Sequence, residues 1–266
     1  MKKIISLTLA LILCAGIFIS CGKKSDYEQI KKAGKLVIGI TIYDPMNFYE
    51  ADGTTLTGFD TDFAKAVCAK LGFEPVFQII DWDAKETLLK SGDIDCIWNG
   101  LTVKEDRREN MDFTKTYLTN KQCVVIKKSD ADKFTSKESL EGALMTAEKD
   151  SAGEAAILED PVLKKASYTS SAAQSNALIA LKSGNFDAIV IDYTMARANT
   201  GKGDYADLMI VESISLKDEE YAIGFRIGSD MTAKVNAIID ELIADGTLAA
   251  IAAKYDLVDL YEAAVK

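Results

Sequence analysis

The chain has 266 residues, 48% of them hydrophobic, and a formal net charge of −10, an acidic excess that disfavours nucleic acid as a partner. It contains no histidine, which excludes a Ser-His-Asp triad, a Cys-His pair, histidine general bases and histidine-ligated zinc. Once a leader is set aside, enough chain remains for one large or two medium lobes.

In chain order, Met1–Lys2–Lys3 forms a positive n-region, Ile4 to Ile19 an apolar core, and Ser20–Cys21–Gly22 a small-residue cleavage site. This is the pattern of a secretory leader rather than a stable membrane span. Leu36–Val37–Ile38–Gly39–Ile40 reads as a short buried strand. Thr61 to Leu71 reads as an amphipathic helix with Phe63, Val67 and Leu71 on one face. Asp60 is placed as its N-cap, so Asp60 and Asp62 are read as capping and first-turn charges rather than acid catalysts. Pro75 to Ile80 is a second strand, Lys85 to Leu89 a helix closed near Ser91–Gly92, and Ile94 to Trp98 a third strand. Successive βαβ units of this kind put their helices on the faces of a parallel sheet.

The third strand runs into Asn99–Gly100–Leu101–Thr102, with Arg107 behind it. In open α/β sheets ligands sit beyond the carboxyl ends of strands. Glycine there admits a ligand to the backbone, threonine offers a hydroxyl, and an arginine fork grips a carboxylate through two parallel hydrogen bonds. The competing reading is a plain strand end with a solvated arginine.

A second series comes after Cys123–Val124–Val125–Ile126. It comprises a short helix over Ser136 to Leu140, a strand over Ala143 to Ala147, helices over Ala152 to Leu158 and Ser171 to Lys182, and a buried strand Ala188–Ile189–Val190–Ile191 ending at Asp192. Tyr221 to Ile227 gives one more strand, and Met231 to Ile243 and Thr247 to Tyr255 give amphipathic helices separated by Asp245–Gly246. Beyond the leader region, Cys68, Cys96 and Cys123 lack metal-site spacing and are expected to be small buried residues without a disulfide framework.

Asn99–Gly100–Leu101–Thr102–Val103–Lys104–Glu105–Asp106–Arg107, with Asp112–Phe113 after it, resembles the signature of the extracellular solute-binding proteins that deliver polar amino acids to ABC importers. Gly58–Phe59–Asp60–Thr61–Asp62–Phe63–Ala64 resembles that family's other hallmark, and Tyr43–Asp44–Pro45–Met46–Asn47–Phe48 its first binding loop. The likeness covers roughly residues 30 to 260. It implies an α/β fold of the type II periplasmic-binding-protein kind, in which two α/β lobes are joined by a two-stranded hinge with the ligand cleft between them. The implied division is a signal peptide at 1–20, a lipidated tether at 21–29, a first lobe over 30–117 and 223–266, a second lobe over 123–217, and hinges at 118–122 and 218–222. No proline- or glycine-rich linker marks either crossing.

The resemblance also assigns roles. Arg107 matches the residue that grips an α-carboxylate, Gly100 and Thr102 the groups around the amino-acid core, and Asp192 the carboxylate that accepts the α-ammonium. Ser151 and Ala152 fall where a small-residue turn opens a helix whose free N–H groups complete the carboxylate site. The turn begins with Asp150, where the family more often has glycine. Tyr43 and Trp82 match aromatic walls around the ligand side chain, and Asn99 adds a polar contact. Bland readings stand beside these: Trp82 as a core edge, Asp192 as a helix cap, and Arg107 in a surface ion pair with Glu105 or Asp106. Ile19–Ser20–Cys21 resembles a bacterial lipobox, so Cys21 is the expected lipidation site, with Cys14 a poorer candidate.

The resemblance therefore leads to the expectation of a monomeric binding protein without cofactor or metal, tethered to the outer face of the cytoplasmic membrane. It would capture a free amino acid and pass it to the permease subunits of an ABC importer. An enzyme on the same scaffold, dehydratase- or transglycosylase-like, and an amino-acid-sensing ectodomain are the rivals. The preferred amino acid stays open among glutamine, cystine, lysine and arginine. Asp44 and Glu148 are candidate acidic partners for a basic side chain.

Overall fold

The computed structural model describes residues 25–265, so the leader and Cys21 lie outside the described residues. Helix α1 (Asp26–Ala33) occupies part of the stretch expected to be a tether. Ser25 caps it by accepting from the Glu28 N–H, and the Tyr27 N–H donates to Asp230 at 3.0 Å, which ties the helix to the body of the protein.

The first lobe begins with β1 (Lys35–Ile40), the small hairpin β2 (Phe48–Tyr49) and β3 (Leu56–Thr57), and α2 (Phe59–Leu71). It continues with β4 (Glu74–Ile79), a single 3-10 turn over Trp82–Ala84, α3 (Lys85–Ser91), β5 (Cys96–Thr102), the four-residue α4 (Glu105–Arg108) and β6 (Met111–Phe113). The chain then crosses on β7 (Leu118–Lys127). The second lobe holds β8 (Leu144–Thr146), α5 (Ala152–Glu159), β9 (Ser167–Tyr168), α6 (Gln174–Lys182), β10 (Ala188–Asp192), α7 (Tyr193–Asn199) and β11 (Leu208–Ile210). It returns on β12 (Asp218–Arg226) and ends with α8 (Met231–Ala244), α9 (Thr247–Lys254) and α10 (Val258–Ala264) packed on the first lobe.

The strand order is β4-β1-β5-β12-β7-β10-β8-β9, with β6 also paired to β12 and β11 to β7. The βαβ expectation holds for the outer strands: β1 is parallel to β4 and β5, and β8 is parallel to β10 and β9. The crossing strands are antiparallel to their neighbours, so the sheet is mixed rather than parallel. β7 and β12 pair with each other only through Leu118–Lys121 and Asp218–Tyr221. Beyond that short ladder β7 turns to β10, and β12 to β5 and β6. Each crossing strand therefore changes partner midway, and the two lobes meet at a narrow double-stranded neck.

The larger core starts in the first lobe, where Leu36, Ile38, Phe63, Trp98 and Val235 are fully buried, and runs through Leu118 and Tyr221 to Leu178, Leu181 and Ile189 of the second lobe, while Val124, Ile126, Phe134, Met145 and Ile157 pack in a separate core of the second lobe. Cys68, Cys96 and Cys123 are buried free thiols.

Candidate functional site

All seven residues of β5 are buried, as a central strand covered on both faces requires. Its carboxyl end delivers Asn99, Gly100 and Thr102 to the gap that faces the second lobe. Gly100 has φ +55°, and a Cβ there would lie 2.8 Å from Tyr43 Cε1 and 3.0 Å from Tyr221 Cε2, so this turn demands glycine on both counts. The Gly100 N–H donates to Asp60 Oδ2 at 2.7 Å. That contact corrects the capping role expected for Asp60. The helix begins two residues earlier, at Phe59, Gly58 is the N-cap, and the Asp60 carboxyl is turned inward. Burial pushes it up to about 7, with the Gly100 N–H pulling the other way.

Arg107 is 4% exposed and does not form the surface ion pair considered for it. Lys104 takes Asp106 at 3.2 Å and Arg108 takes Glu105 at 3.3 Å. The Arg107 guanidinium instead donates from Nη1 to the Thr102 carbonyl at 3.0 Å and from Nη2 across the cleft to the Asp150 carbonyl at 3.1 Å. Two of its five N–H groups are thus spent on orientation, and three remain.

From the second lobe, Ser151 caps α5 by accepting from the Glu154 N–H at 3.1 Å, and Ser151 and Ala152 stand in the cavity wall where the helix opens. Asp192 ends β10 directly before α7 without capping it. Its Oδ1 accepts from Asn120 Nδ2 and Gln122 Nε2, both at 2.7 Å, and its Oδ2 from Gln174 Nε2. Burial raises its pKa while these amides oppose the shift. Glu219 on β12 shares two of those amides, accepting from Gln122 at 3.0 Å, Asn120 at 3.2 Å and the Thr102 hydroxyl at 3.0 Å. Burial raises it to about 7, with Asp192 adding to the effect.

Trp82, Asn99, Gly100, Thr102, Arg107, Ser151, Ala152 and Asp192 line one enclosed cavity between the lobes, together with Glu148 and Gln174. Its free volume is about 10 Å3, far below the 300–1,000 Å3 of drug-sized ligand sites, so its walls stand closed on one another. A wider groove beside the neck, bounded by Val103–Asp106 and Ser215–Glu219, is open to solvent and shares only Thr102 and Ala152 with the cavity. Tyr43 differs from its expectation, because it is absent from the cavity lining. Its ring packs behind Gly100, and its hydroxyl is bonded to Thr194 and, at 2.7 Å, to Tyr221.

Two reciprocal ion pairs close the cavity's rim. Lys85, whose side chain has no exposed surface, donates to the Asp150 carboxylate and, at 3.2 Å, to the Asp150 carbonyl, while Lys149 reaches back to Asp83 at 2.6 Å. Asp150 has φ +57°, a conformation glycine adopts more easily, and its carboxylate and carbonyl together hold Lys85 and Arg107.

Asn120, Gln122, Gln174, Glu219 and Lys85 were not singled out from the sequence. Asn120 and Gln122 left a signal: amides two apart on a strand share a face, and here that face is buried. Gln174, Glu219 and Lys85 sit among polar residues of ordinary helix and strand ends and left none.

The family model for bacterial extracellular solute-binding proteins, family 3, matches residues 36–257. The chain is 27% identical over 249 residues to the arginine-binding extracellular protein ArtP of Bacillus subtilis, covering 93% of this chain and 95% of that one. It is 30% identical over 273 residues to the ABC transporter glutamine-binding protein GlnH of the same organism, covering 92% and 94%. Among solved structures, a substrate-binding protein of an ABC uptake transporter from Streptococcus pneumoniae with bound histidine superposes with a TM-score of 0.82 at 31% identity, covering 91% of this chain and 99% of that one.

Proposed function

Because the chain belongs to family 3 of the bacterial extracellular solute-binding proteins, we propose that it captures one polar amino acid in the cleft between its lobes and hands it to an ABC importer by cleft closure. The protein is a binding protein rather than an enzyme, and it works outside the cytoplasm. The observation that carries the finer reading is the placement of Arg107 and Asp192 in the wall of one cavity, on opposite lobes.

The Arg107 fork takes the α-carboxylate, supplemented by the open first turn of α5 at Ser151 and Ala152. Asp192 takes the α-ammonium; three amides orient its carboxylate, and no cation of the described residues pairs with it. Gly100 lets the ligand approach the backbone. Thr102, whose hydroxyl donates to Glu219, offers its lone pairs to the ammonium. Trp82 walls the side chain, and Tyr43 supports Gly100 from behind rather than touching the ligand. A ligand that bonds both lobes favours the closed state and shifts a hinge equilibrium at the β7–β12 neck. The chain acts as a monomer, held at the membrane through Cys21, with the permease subunits reading its closed outer surface.

Calorimetry tests this. Truncating one partner of a buried charge pair costs about 2–5 kcal/mol, so Arg107→Ala and Asp192→Ala should each weaken amino-acid binding by about thirtyfold or more while circular dichroism stays native. Wild-type affinity in a folded Arg107→Ala protein would put the carboxylate clamp elsewhere.

A further inference from the structure

The polar side chains lining the cavity are almost all committed to one another. Asn99 Oδ1 accepts from the Thr41 N–H and Asn47 Nδ2, and its Nδ2 donates to Thr41 Oγ1. Gln174 is occupied at both ends by Asp192, and the Thr102 hydroxyl by Glu219. Glu148 is the exception. It is 3% exposed, and its Oε1 has no hydrogen-bond partner.

The balance of charge over the wall singles out the same residue. A zwitterionic amino acid answers Arg107 with its carboxylate and Asp192 with its ammonium. Lys85 is answered by Asp150. Glu219 is satisfied by two amides and a hydroxyl. Glu148 is then the one acidic group in the cavity wall left without a counter-charge, and a buried carboxylate without one is expensive. Burial raises it to about 8 and Asp192 adds to the rise, while the charges of Lys85 and Arg107 and a hydrogen bond from the Gln174 backbone N–H act in the opposite sense. Trp82 lines the same cavity, and its ring already carries one cation, Lys85 Nζ at 4.9 Å from the centroid, as aromatic faces do.

We propose that Glu148 selects the ligand's side chain, and that the ligand is an amino acid whose side chain ends in a cation, a guanidinium or an ammonium. The proposal rests on the reading of the cavity as an amino-acid site. Within that site the side-chain cation supplies the missing counter-charge and N–H donors for Oε1. The rival is a protonated Glu148 that donates to a neutral carbonyl, as on glutamine.

L-arginine and L-citrulline separate these, being nearly isosteric and differing in the charge of the terminal group. Calorimetry at pH 7.5 should show the wild type binding arginine at least about thirtyfold more tightly than citrulline. In Glu148→Gln that ratio should collapse to near unity, with far-ultraviolet circular dichroism as the folding control. L-lysine against L-glutamine repeats the comparison for an ammonium. Equal binding of the charged and neutral partners by the wild type overturns the proposal without any variant, and so does a folded Glu148→Gln protein that keeps the wild-type ratio. Binding of neutral amino acids alone, sensitive to Arg107→Ala, would leave the site reading standing and remove only the role of Glu148. Failure of every amino acid to bind the wild type would remove both.

Discussion

Asp60 illustrates how a single residue escapes sequence reasoning. An aspartate at a helix start is ordinarily a cap or a dipole partner, and nothing local distinguishes one turned inward to hold the Gly100 N–H. The distinction arises from β5, forty residues away, which needs a glycine turn and a buried acceptor for its amide. Arg107 and Asp192 entered through the family resemblance, which implied both charges of an amino-acid site, and the two residues do line one cavity. The amides of Asn120, Gln122 and Gln174 that aim Asp192 were not legible, since their role exists only once β7, α6 and β10 are packed. Asp60 also has a measurable titration. Its pKa is about 7 in the folded chain against an ordinary 3.8, so below about pH 4 the carboxyl is protonated in both states and carries no penalty. As pH rises the unfolded chain ionises first, the folded chain holds more protons, and stability declines until about pH 7. Asp60→Asn should remove that slope, gaining on the wild type by up to ~4 kcal/mol between acid and neutral pH. Thermal melts of both proteins at pH 4.5 and 7.5 check it; the same difference at both would show that Asp60 does not titrate in this range.

Elements with strong periodicity were legible in the sequence, and elements held by distant partners were not. Helices α2, α5, α8 and α9 and strands β1 and β10 lie within a few residues of where their apolar spacing puts them. Helix α1 is polar almost all round and reads as tether until Asp230 anchors it. The first residues of β12, Asp218–Glu219–Glu220, are all acidic and give no strand signal; they are extended because they pair with Lys121, Asn120 and Thr119 of β7. Helix α10 was missed for a similar reason, its seven residues being too few to show a period. At the same scale, the start of α3 and the turn before α5 hold the cleft together through Lys85 and Asp150. Burial and the neighbouring Arg107 lower the Lys85 pKa and Asp150 opposes them in part, so the pair helps keep an ammonium inside the rim. Lys85→Met removes the pair without leaving an unmatched buried charge. The ligand-free variant should have a larger radius of gyration by solution scattering than the ligand-free wild type. Its apparent affinity should fall in proportion to the lost closed population. Superimposable scattering curves would show that the pair does not bias closure.

At the scale of the molecule, the alternation of strands and helices pointed to an α/β chain and the family resemblance to its two lobes, but the places where the chain changes lobes had no mark of their own. A hinge of two paired strands is made of ordinary strand residues, and only the change of partner along β7 and β12 distinguishes them. Attachment is the other property of the whole chain. If Cys21 carries the lipid, a palmitate analogue supplied to cells should label the wild type and leave Cys21→Ala unlabelled, with that variant recovered in the soluble fraction rather than with membranes. Equal labelling of the two would dismiss the anchor.

The position of β12 sets an order in time. It lies in the middle of the first sheet, between β5 and β7, yet it comes after the whole second lobe in the chain. One core of the second lobe is drawn from a continuous stretch, Val124 to Leu216, whereas the core of the first lobe joins Leu36 and Phe63 to Ile239 and Leu248 and extends to Leu178 and Ile189 of the second. During synthesis or export the part made first is therefore finished last. Until residues 218–226 emerge, β5, buried along its whole length in the finished fold, lacks the strand that covers this edge. The nascent chain spends that interval as its own most aggregation-prone form, and any factor that shields it must act on the N-terminal third and let go only after the C-terminal helices arrive.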